Sequence, residues 1–163
     1  MKKTIIAVSL VALISCYQNK GAKNDLEGKP MPSFSILLKD SLTNFNTSSI
    51  PTGKPCALVY VGTRCPYSRA EIQDIVDNIA ELKDLHLYIF TPDKFSSMKN
   101  FSTHYQLDKY PNVTMGQDTG NAFGKYIKAI GVPYTAIYTK DKKLQKLFPG
   151  TIKASLIKET ALE

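Results

Sequence analysis

The fold is decided by residues 57–72, ALVYVGTRCPYSRAEI. An apolar run ends at a glycine and apolar residues then recur at helical spacing, so the stretch predicts a strand, a tight loop and a helix that begins at Cys65. Pro66 suits the first helical turn, where its missing N–H carries no cost. The first N–H groups of a helix lack intrahelical partners and carry partial positive charge, and Arg64 and Arg69 add more on either side. Because this environment favours a thiolate, the pattern predicts that Cys65 is reactive.

The first residues have the pattern of a bacterial export signal. A basic start, MKK, precedes an apolar segment that is too short to span a membrane, and LISC at its end resembles the lipobox, whose cysteine is lipidated. An ordinary signal peptide with an incidental cysteine is the alternative. Lipidation would anchor the protein to a membrane rather than carry the chain across it. We predict a lipoprotein signal peptide at residues 1–15, lipidation at Cys16, a flexible tether at residues 16–27 and a folded domain at residues 28–163.

Composition narrows the classes of function. The formal net charge of the 163-residue chain is +7, but the lysines are scattered, which argues against a nucleic-acid partner. With Cys16 lipidated, only Cys56 and Cys65 keep free thiols, too few for a disulfide-stabilised exported domain, so a reactive role for cysteine is favoured. A strand at about 3.3 Å per residue places Cys56 roughly 20 Å from Cys65, whereas a disulfide needs Cα atoms within about 7 Å. We therefore expect Cys56 to be a buried packing residue.

Strands and helices alternate along the rest of the chain. Strands are predicted at residues 33–37, 42–46, 56–61, 85–90, 112–115, 134–139 and 144–148. Helices are predicted at residues 66–83, 93–105, 120–130 and 152–162. This order predicts an α/β fold with a central mixed sheet flanked by helices.

Four segments carry a resemblance to a known family. They are GKPMPSF (residues 28–34), GKP (53–55), CPYSRAE (65–71) and GVPYT (131–135). In this order they resemble the thioredoxin-like superfamily, and more closely the TlpA-type membrane-anchored thiol–disulfide oxidoreductases, which are related to the AhpC/TSA redoxins. The third segment lies where that family has Cys-x-x-Cys-x-x-Glu, and the fourth resembles its cis-proline loop. The resemblance implies a thioredoxin-like fold over about residues 28–156.

This chain departs from the family pattern at its centre. Arg64 replaces the usual Trp, and Ser68 replaces the second cysteine. In a dithiol enzyme that cysteine resolves the mixed disulfide, which a serine cannot do. The Ser68 hydroxyl lies one helical turn from Cys65 and can hydrogen-bond its thiolate. We therefore predict a monothiol in which Cys65 attacks and an outside thiol releases it, with Ser68 and Pro133 completing the catalytic set.

The resemblance also implies a substrate groove. A cis Val132–Pro133 bond would leave the Val132 backbone free to pair with an extended segment, whereas an ordinary trans turn is the alternative. Tyr67 and Tyr134 would lie near Cys65, either as apolar contacts or as plain exposed tyrosines. The predicted substrate-binding residues are Arg64, Pro66, Tyr67, Val132 and Tyr134.

The remaining ionisable residues point to no second site. Glu71 is expected to be a solvated helix acid, and the alternative is that it senses the charge of the Cys65 thiol. His86 and His104 are separated and have no cysteine or acid at ligand spacing, so structural roles are expected. We predict no metal and no cofactor.

These features are compatible with two functions and argue against a third. The favoured one is a thiol–disulfide exchange protein of the bacterial cell envelope, lipid-anchored at an extracytoplasmic membrane face, which forms transient mixed disulfides between Cys65 and envelope proteins or small thiols. The alternative is a redox-inactive binding module that uses the groove beside Pro133. A peroxidase of the peroxiredoxin type is disfavoured, because Gly62 and Leu58 occupy the positions of its Thr or Ser and its Pro.

Overall fold

The computed structural model describes residues 25–163. The predicted signal peptide, Cys16 and most of the predicted tether lie outside the described residues. In the part of the chain that is described, no helix is long and apolar enough to cross a membrane.

One mixed sheet of seven strands forms the centre of the domain. Its strands are β1 (Ser35–Leu38), β2 (Asn44–Asn46), β3 (Cys56–Tyr60), β4 (His86–Thr91), β5 (Val113–Gln117), β6 (Tyr134–Tyr138) and β7 (Leu144–Pro149). They are arranged in the order β2-β1-β5-β4-β3-β6-β7. The three central strands β5, β4 and β3 are parallel, and the pairs on both sides of them are antiparallel. The predicted α/β class with parallel strands at the centre of a mixed sheet is confirmed.

Helices pack on both faces of this sheet. They are α1 (Pro66–Asp77), α2 (Phe95–His104), α3 (Ala122–Tyr126) and α4 (Ala154–Leu162). The central strand β3 is buried on both sides, as its uninterrupted apolar sequence predicts. Ala57 and Val59 pack with α1, α2 and α4 in one core. Leu58 and Tyr60 pack with α3 and the first strands in the other. The two cores hold β3 firmly, so the loop that follows it has a fixed starting point.

Two helices are each six residues shorter than the pattern predicts. The first was expected to reach residue 83, but α1 ends at Asp77 and a short 3₁₀ helix follows at Ile79–Leu82. The Asn78 side chain donates to the Asp74 carbonyl at 2.8 Å, an acceptor that its own backbone N–H also uses, and such side-chain bonds compete with helix continuation. A helix was expected over residues 120–130, but α3 covers only Ala122–Tyr126.

Left-handed residues explain the short α3. Asn121 precedes the helix at φ 49° and Lys128 follows it at φ 53°, so both boundaries leave the right-handed helical region. The Asp118 carboxylate caps the helix start by accepting the N–H groups of Ala122 and Phe123 at 2.8 and 2.9 Å. Phe123 of this helix packs in one core cluster with Leu58 and Tyr60 of β3.

Candidate active site at the start of α1

Cys65 lies where the strand–loop–helix prediction placed it. It is the N-cap residue of α1, with extended backbone angles of φ −73° and ψ 123°, and Pro66 is the first helical residue. The loop between β3 and this cysteine is tied down at Thr63, whose N–H and hydroxyl both donate to the Asp93 carboxylate, at 2.7 and 2.5 Å. The partly exposed thiol therefore stands on a rigid turn at the carboxyl end of the central strand.

The helix start lowers the pKa of Cys65. Burial acts to raise this pKa, but hydrogen bonds from the Ser68 backbone N–H, the Ser68 hydroxyl and the Tyr67 backbone N–H outweigh it, so the pKa lies below its ordinary value. The groups that stabilise the thiolate are thus donors of the first helical turn. Arg64 and Arg69 line a separate cleft against α2.

Ser68 is fully buried beneath the thiol. Its hydroxyl oxygen accepts the Gly62 backbone N–H at 3.1 Å, which leaves its proton free to be donated to the Cys65 sulfur. One side chain therefore fixes the loop and stabilises the thiolate.

The Val132–Pro133 loop faces the same sulfur. The Val132–Pro133 bond is cis, so that prediction is confirmed. The Cys65 thiol donates to the Val132 carbonyl oxygen at 3.4 Å, and the Gly150 N–H holds the Pro133 carbonyl at 2.9 Å. A Cβ added at Gly62 would lie 2.8 Å from Val132 Cγ2, so only glycine lets the two loops approach this closely.

Apolar side chains surround this loop. Tyr67, in the first turn of α1, is 68% exposed, and Pro66 is exposed beside it. Tyr134 is half-buried, and its hydroxyl accepts the Ile130 backbone N–H at 3.5 Å. Ile130 is 98% exposed, which was not predicted from the sequence. The exposure of Ile130 could have been predicted, because this isoleucine comes directly before Gly-Val-Pro and belongs to no apolar periodicity.

Glu71 was predicted wrongly. It is fully buried on the inner face of α1, not solvated. The Thr135 hydroxyl donates to its Oε1 at 2.6 Å, while its Oε2 has no hydrogen-bond partner within residues 25–163. Burial, with a smaller contribution from the Asp74 charge, outweighs the Thr135 bond and raises the pKa of Glu71 to about 7.

The other predicted positions have structural environments. Cys56 is buried at the opposite end of β3 from Cys65, as predicted, with its sulfur 3.6 Å from the Lys142 Nζ. His86 Nε2 lies 2.8 Å from the Thr114 hydroxyl. Within residues 25–163 no three His, Cys, Asp or Glu side chains are grouped so as to hold a metal ion.

Comparisons with solved structures show what this fold is similar to. A candidate thiol:disulfide interchange protein, DsbE, from Chlorobium tepidum is 17% identical, with a TM-score of 0.68 over 83% of this chain and 95% of that one. A secreted Mycobacterium tuberculosis disulfide oxidoreductase is 18% identical, with a TM-score of 0.65 over 80% and 96%. Peroxidoxin BcpB from M. tuberculosis is 12% identical, with a TM-score of 0.68 over 83% and 96%. At these identities the likeness shows the fold.

The family follows from the sequence. No curated protein matches the chain. The model of the AhpC/TSA family matches residues 28–147, which include the first six strands, the cysteine turn and the cis-proline loop. This thioredoxin-like chain belongs to the AhpC/TSA family.

Proposed function

We propose that this chain is a monothiol thiol–disulfide exchange protein of the bacterial cell envelope, with Cys65 as its nucleophile. One observation carries the proposal: the Cys65 sulfur receives hydrogen bonds that lower its pKa and faces the carbonyl oxygen of Val132 in the cis-proline loop. A partly exposed thiol with a lowered pKa is the arrangement that thiol–disulfide exchange requires. The similar folds named as disulfide interchange proteins agree with this chemistry.

The reaction has two exchange steps. The Cys65 thiolate attacks one sulfur of a client disulfide, a new S–S bond forms to Cys65, the client S–S bond breaks, and the client's second sulfur leaves as a thiolate that takes up a proton. Cys65 is thereby oxidised and the leaving sulfur reduced. An outside thiolate then attacks the client sulfur of the mixed disulfide: a new S–S bond forms between the outside thiol and the client, the Cys65–client bond breaks, and Cys65 leaves as its thiolate. Ser68 holds the Cys65 thiolate by a hydrogen bond in both steps and exchanges no electrons.

Side chains around the sulfur would bind the client. On this proposal Pro66, Tyr67 and Tyr134 contact the residues that flank a client cysteine, and the Val132 backbone pairs with them. Pro133 keeps that backbone against the nucleophile. The partners are envelope proteins or small thiols.

The location rests on the first sixteen residues. Their basic start, apolar segment and LISC ending support lipidation at Cys16 and attachment to an extracytoplasmic membrane face. Incorporation of labelled fatty acid into the wild-type chain in bacterial cells, and its loss in Cys16→Ala, is the expected result. Equal labelling of both chains would contradict the anchor.

The nucleophile is tested by alkylation of the full chain across pH. Peptide mass spectrometry reads each cysteine separately, with iodoacetamide as a neutral reagent. We expect the Cys65 midpoint below the free-thiol value of about 8.5 and slow labelling of buried Cys56, which is the internal control. A Cys65 midpoint at or above that value, with no adduct formed in oxidised buffer, would contradict the proposal.

The monothiol cycle is tested with Ser68→Cys. In the wild type a mixed disulfide at Cys65 should persist until an outside thiol is added. In Ser68→Cys the introduced thiol, one helical turn away, should release the adduct without added thiol and leave an intramolecular disulfide between Cys65 and the introduced sulfur. Equal adduct lifetimes in the two chains would contradict the role given to Ser68.

The exposed apolar residues favour a second candidate, a binding module that does not turn over. Tyr67 and Ile130 flank the cis-proline loop and are 68% and 98% exposed. In that case Tyr67→Ser and Ile130→Ser would abolish client binding, and Cys65→Ala would leave it unchanged.

A further inference from the structure

The two arginines of the chain lie together. Nineteen of its 21 basic residues are lysines, and the remaining two are Arg64 and Arg69. The lysines are spread along the chain, whereas both arginines line one cleft between the loop before Cys65 and α2. Arginine differs from lysine in presenting a planar fork of donors that matches a carboxylate. A chain that uses lysine almost everywhere else has therefore placed both of its guanidinium groups on a cleft formed partly by Thr63 and Arg64 of the loop before Cys65, although Cys65 itself does not line it.

The cleft has the size and polarity of a small anion site. Its volume is about 360 Å³, within the range of small-molecule pockets. Besides the arginines, residues 25–163 line it with hydroxyl, amide, imidazole and aromatic groups and with no acidic side chain, the other lining residues being Thr63, Ser97, Asn100, Phe101 and His104. The donors thus come from two elements and converge on one space.

The guanidinium charges are not used up inside the protein. Within residues 25–163 neither arginine has a carboxylate within 4 Å. Arg69 donates one bond, of 3.4 Å, to the Thr63 carbonyl, which orients it along the cleft wall. The nearby Asp93 carboxylate lines an adjoining hollow together with Arg64, and it already accepts the two Thr63 donors. Both arginines are exposed and able to receive an anion.

We propose that this cleft binds the carboxylate of a small disulfide or thiol that exchanges with Cys65. The inference rests on the proposed function and specifies its substrate class: low-molecular-weight thiols that carry carboxylates. Cys65 would attack the disulfide sulfur of the bound molecule, the Cys65–sulfur bond would form as the original S–S bond breaks, and the departing half would leave as a thiolate that takes up a proton. The half retained on Cys65 would keep its carboxylate in the cleft.

Three small disulfides that differ in charge test this. They are 3,3′-dithiodipropionate (anionic), bis(2-hydroxyethyl) disulfide (neutral) and cystamine (cationic). The rate of adduct formation at Cys65 of the full chain is measured by mass spectrometry for each disulfide. The rate with the anionic disulfide is divided by the rate with the neutral one. This ratio is then normalised by the same ratio measured for free 2-mercaptoethanol. The ratio cancels any change in the thiolate fraction of Cys65 between variants.

The expected pattern is specific to the arginines. In the wild type the normalised ratio should be about 10 at low salt and should shrink at high ionic strength. In Arg64→Gln and in Arg69→Gln it should fall about threefold. Lys99→Gln is the matched control, because Lys99 is an exposed cation of α2 that does not line the cleft. It should keep the wild-type ratio. Arg64→Lys should restore part of the loss, since it returns the charge without the fork.

Other outcomes would overturn the inference. A ratio near one, or an equal loss in Lys99→Gln, would show that no carboxylate site exists in the cleft, while normal reaction with the neutral disulfide would leave the proposed exchange function intact. A charge preference seen only with disulfides of acidic peptides would assign the cleft to protein clients. Failure of Cys65 to react with the neutral disulfide would overturn the proposed function, and this inference with it.

Discussion

Replacing Glu71 by Gln removes a buried carboxyl that works against folding once it ionises. The side chain is fully buried and, within residues 25–163, accepts one hydrogen bond, from the Thr135 hydroxyl. Its pKa rises from an ordinary 4.5 to about 7 in the folded protein. The folded chain therefore holds this proton over a pH range in which the unfolded chain has already lost it.

The sign and size of the effect follow from linkage. Because the pKa of Glu71 is higher in the folded chain than in the unfolded chain, protonated Glu71 contributes its full stabilisation of the fold below pH 4.5. This contribution is lost as the pH rises through 7. Each unit of pKa corresponds to about 1.4 kcal/mol, so the carboxyl should lower the free energy of unfolding by about 3 kcal/mol between these limits. The Glu71→Gln variant lacks this loss.

A fixed offset separates the two chains as well. The Gln side chain places an amide N–H₂ where Oε2 has no partner within residues 25–163, which costs about 1–3 kcal/mol at every pH. The informative quantity is therefore the change with pH in the stability difference between variant and wild type, since groups common to both chains cancel.

Urea unfolding of the full chain at a series of pH values from 4.5 to 8.5 measures this quantity. The difference should move by about 3 kcal/mol in favour of the variant as pH rises, most steeply between 5 and 7. Glu159→Gln, which removes an exposed acid of α4, should run parallel to the wild type. Parallel curves for Glu71→Gln would refute the burial argument for Glu71, because a carboxyl that titrates alike in both states adds no slope.

Two further substitutions test the geometry around the thiol. Ser68→Ala should raise the pH midpoint of Cys65 alkylation, because the hydroxyl donor to its thiolate is lost. It should also lower the free energy of urea unfolding by about 1–3 kcal/mol, because the Gly62 N–H loses its acceptor. An unchanged midpoint would assign the lowered pKa to backbone donors alone. Gly62→Ala should lower the free energy of unfolding by about 1–3 kcal/mol, because its new Cβ would lie 2.8 Å from Val132 Cγ2. Gly131→Ala, whose new Cβ would meet open space, should leave the free energy of unfolding nearly unchanged in the same assay. Equal effects would show that the two loops do not depend on this close approach.

The parts of the site that the sequence could predict are local. The strand, loop and helix start at residues 57–72 follow from an apolar run, a glycine and a proline within sixteen residues. This pattern placed Cys65 correctly. Cys56 could be assigned to the core from strand length alone. The cis bond before Pro133 came from resemblance, since no rule of composition distinguishes cis from trans there.

What the sequence missed depends on contacts between distant segments. The burial of Glu71 results from packing α1 against β6, where Thr135 meets it across 64 positions of the chain. A signal was present: Glu71 lies three residues after Ser68 and four before Ile75, both of which face the core. An acidic residue on an apolar helix face was judged by its type rather than by its position. The arginine cleft was missed for the same reason, because α2 supplies its second wall.

Ser68 occupies the position of the second cysteine in Cys-x-x-Cys. It thereby separates two roles that a cysteine there would combine, stabilising the thiolate and resolving the mixed disulfide. A thiol there would both stabilise the Cys65 thiolate and resolve its adducts, whereas the buried Ser68 hydroxyl stabilises the thiolate and leaves the adduct standing. On the proposed function the lifetime of each adduct is then set by the arrival of an outside thiol. If the arginine cleft binds carboxylates as proposed, it would raise the local concentration of thiols that carry them above that of neutral thiols. On the two proposals together, Ser68 leaves the release of each adduct to an outside thiol, and Arg64 and Arg69 would favour outside thiols that carry a carboxylate.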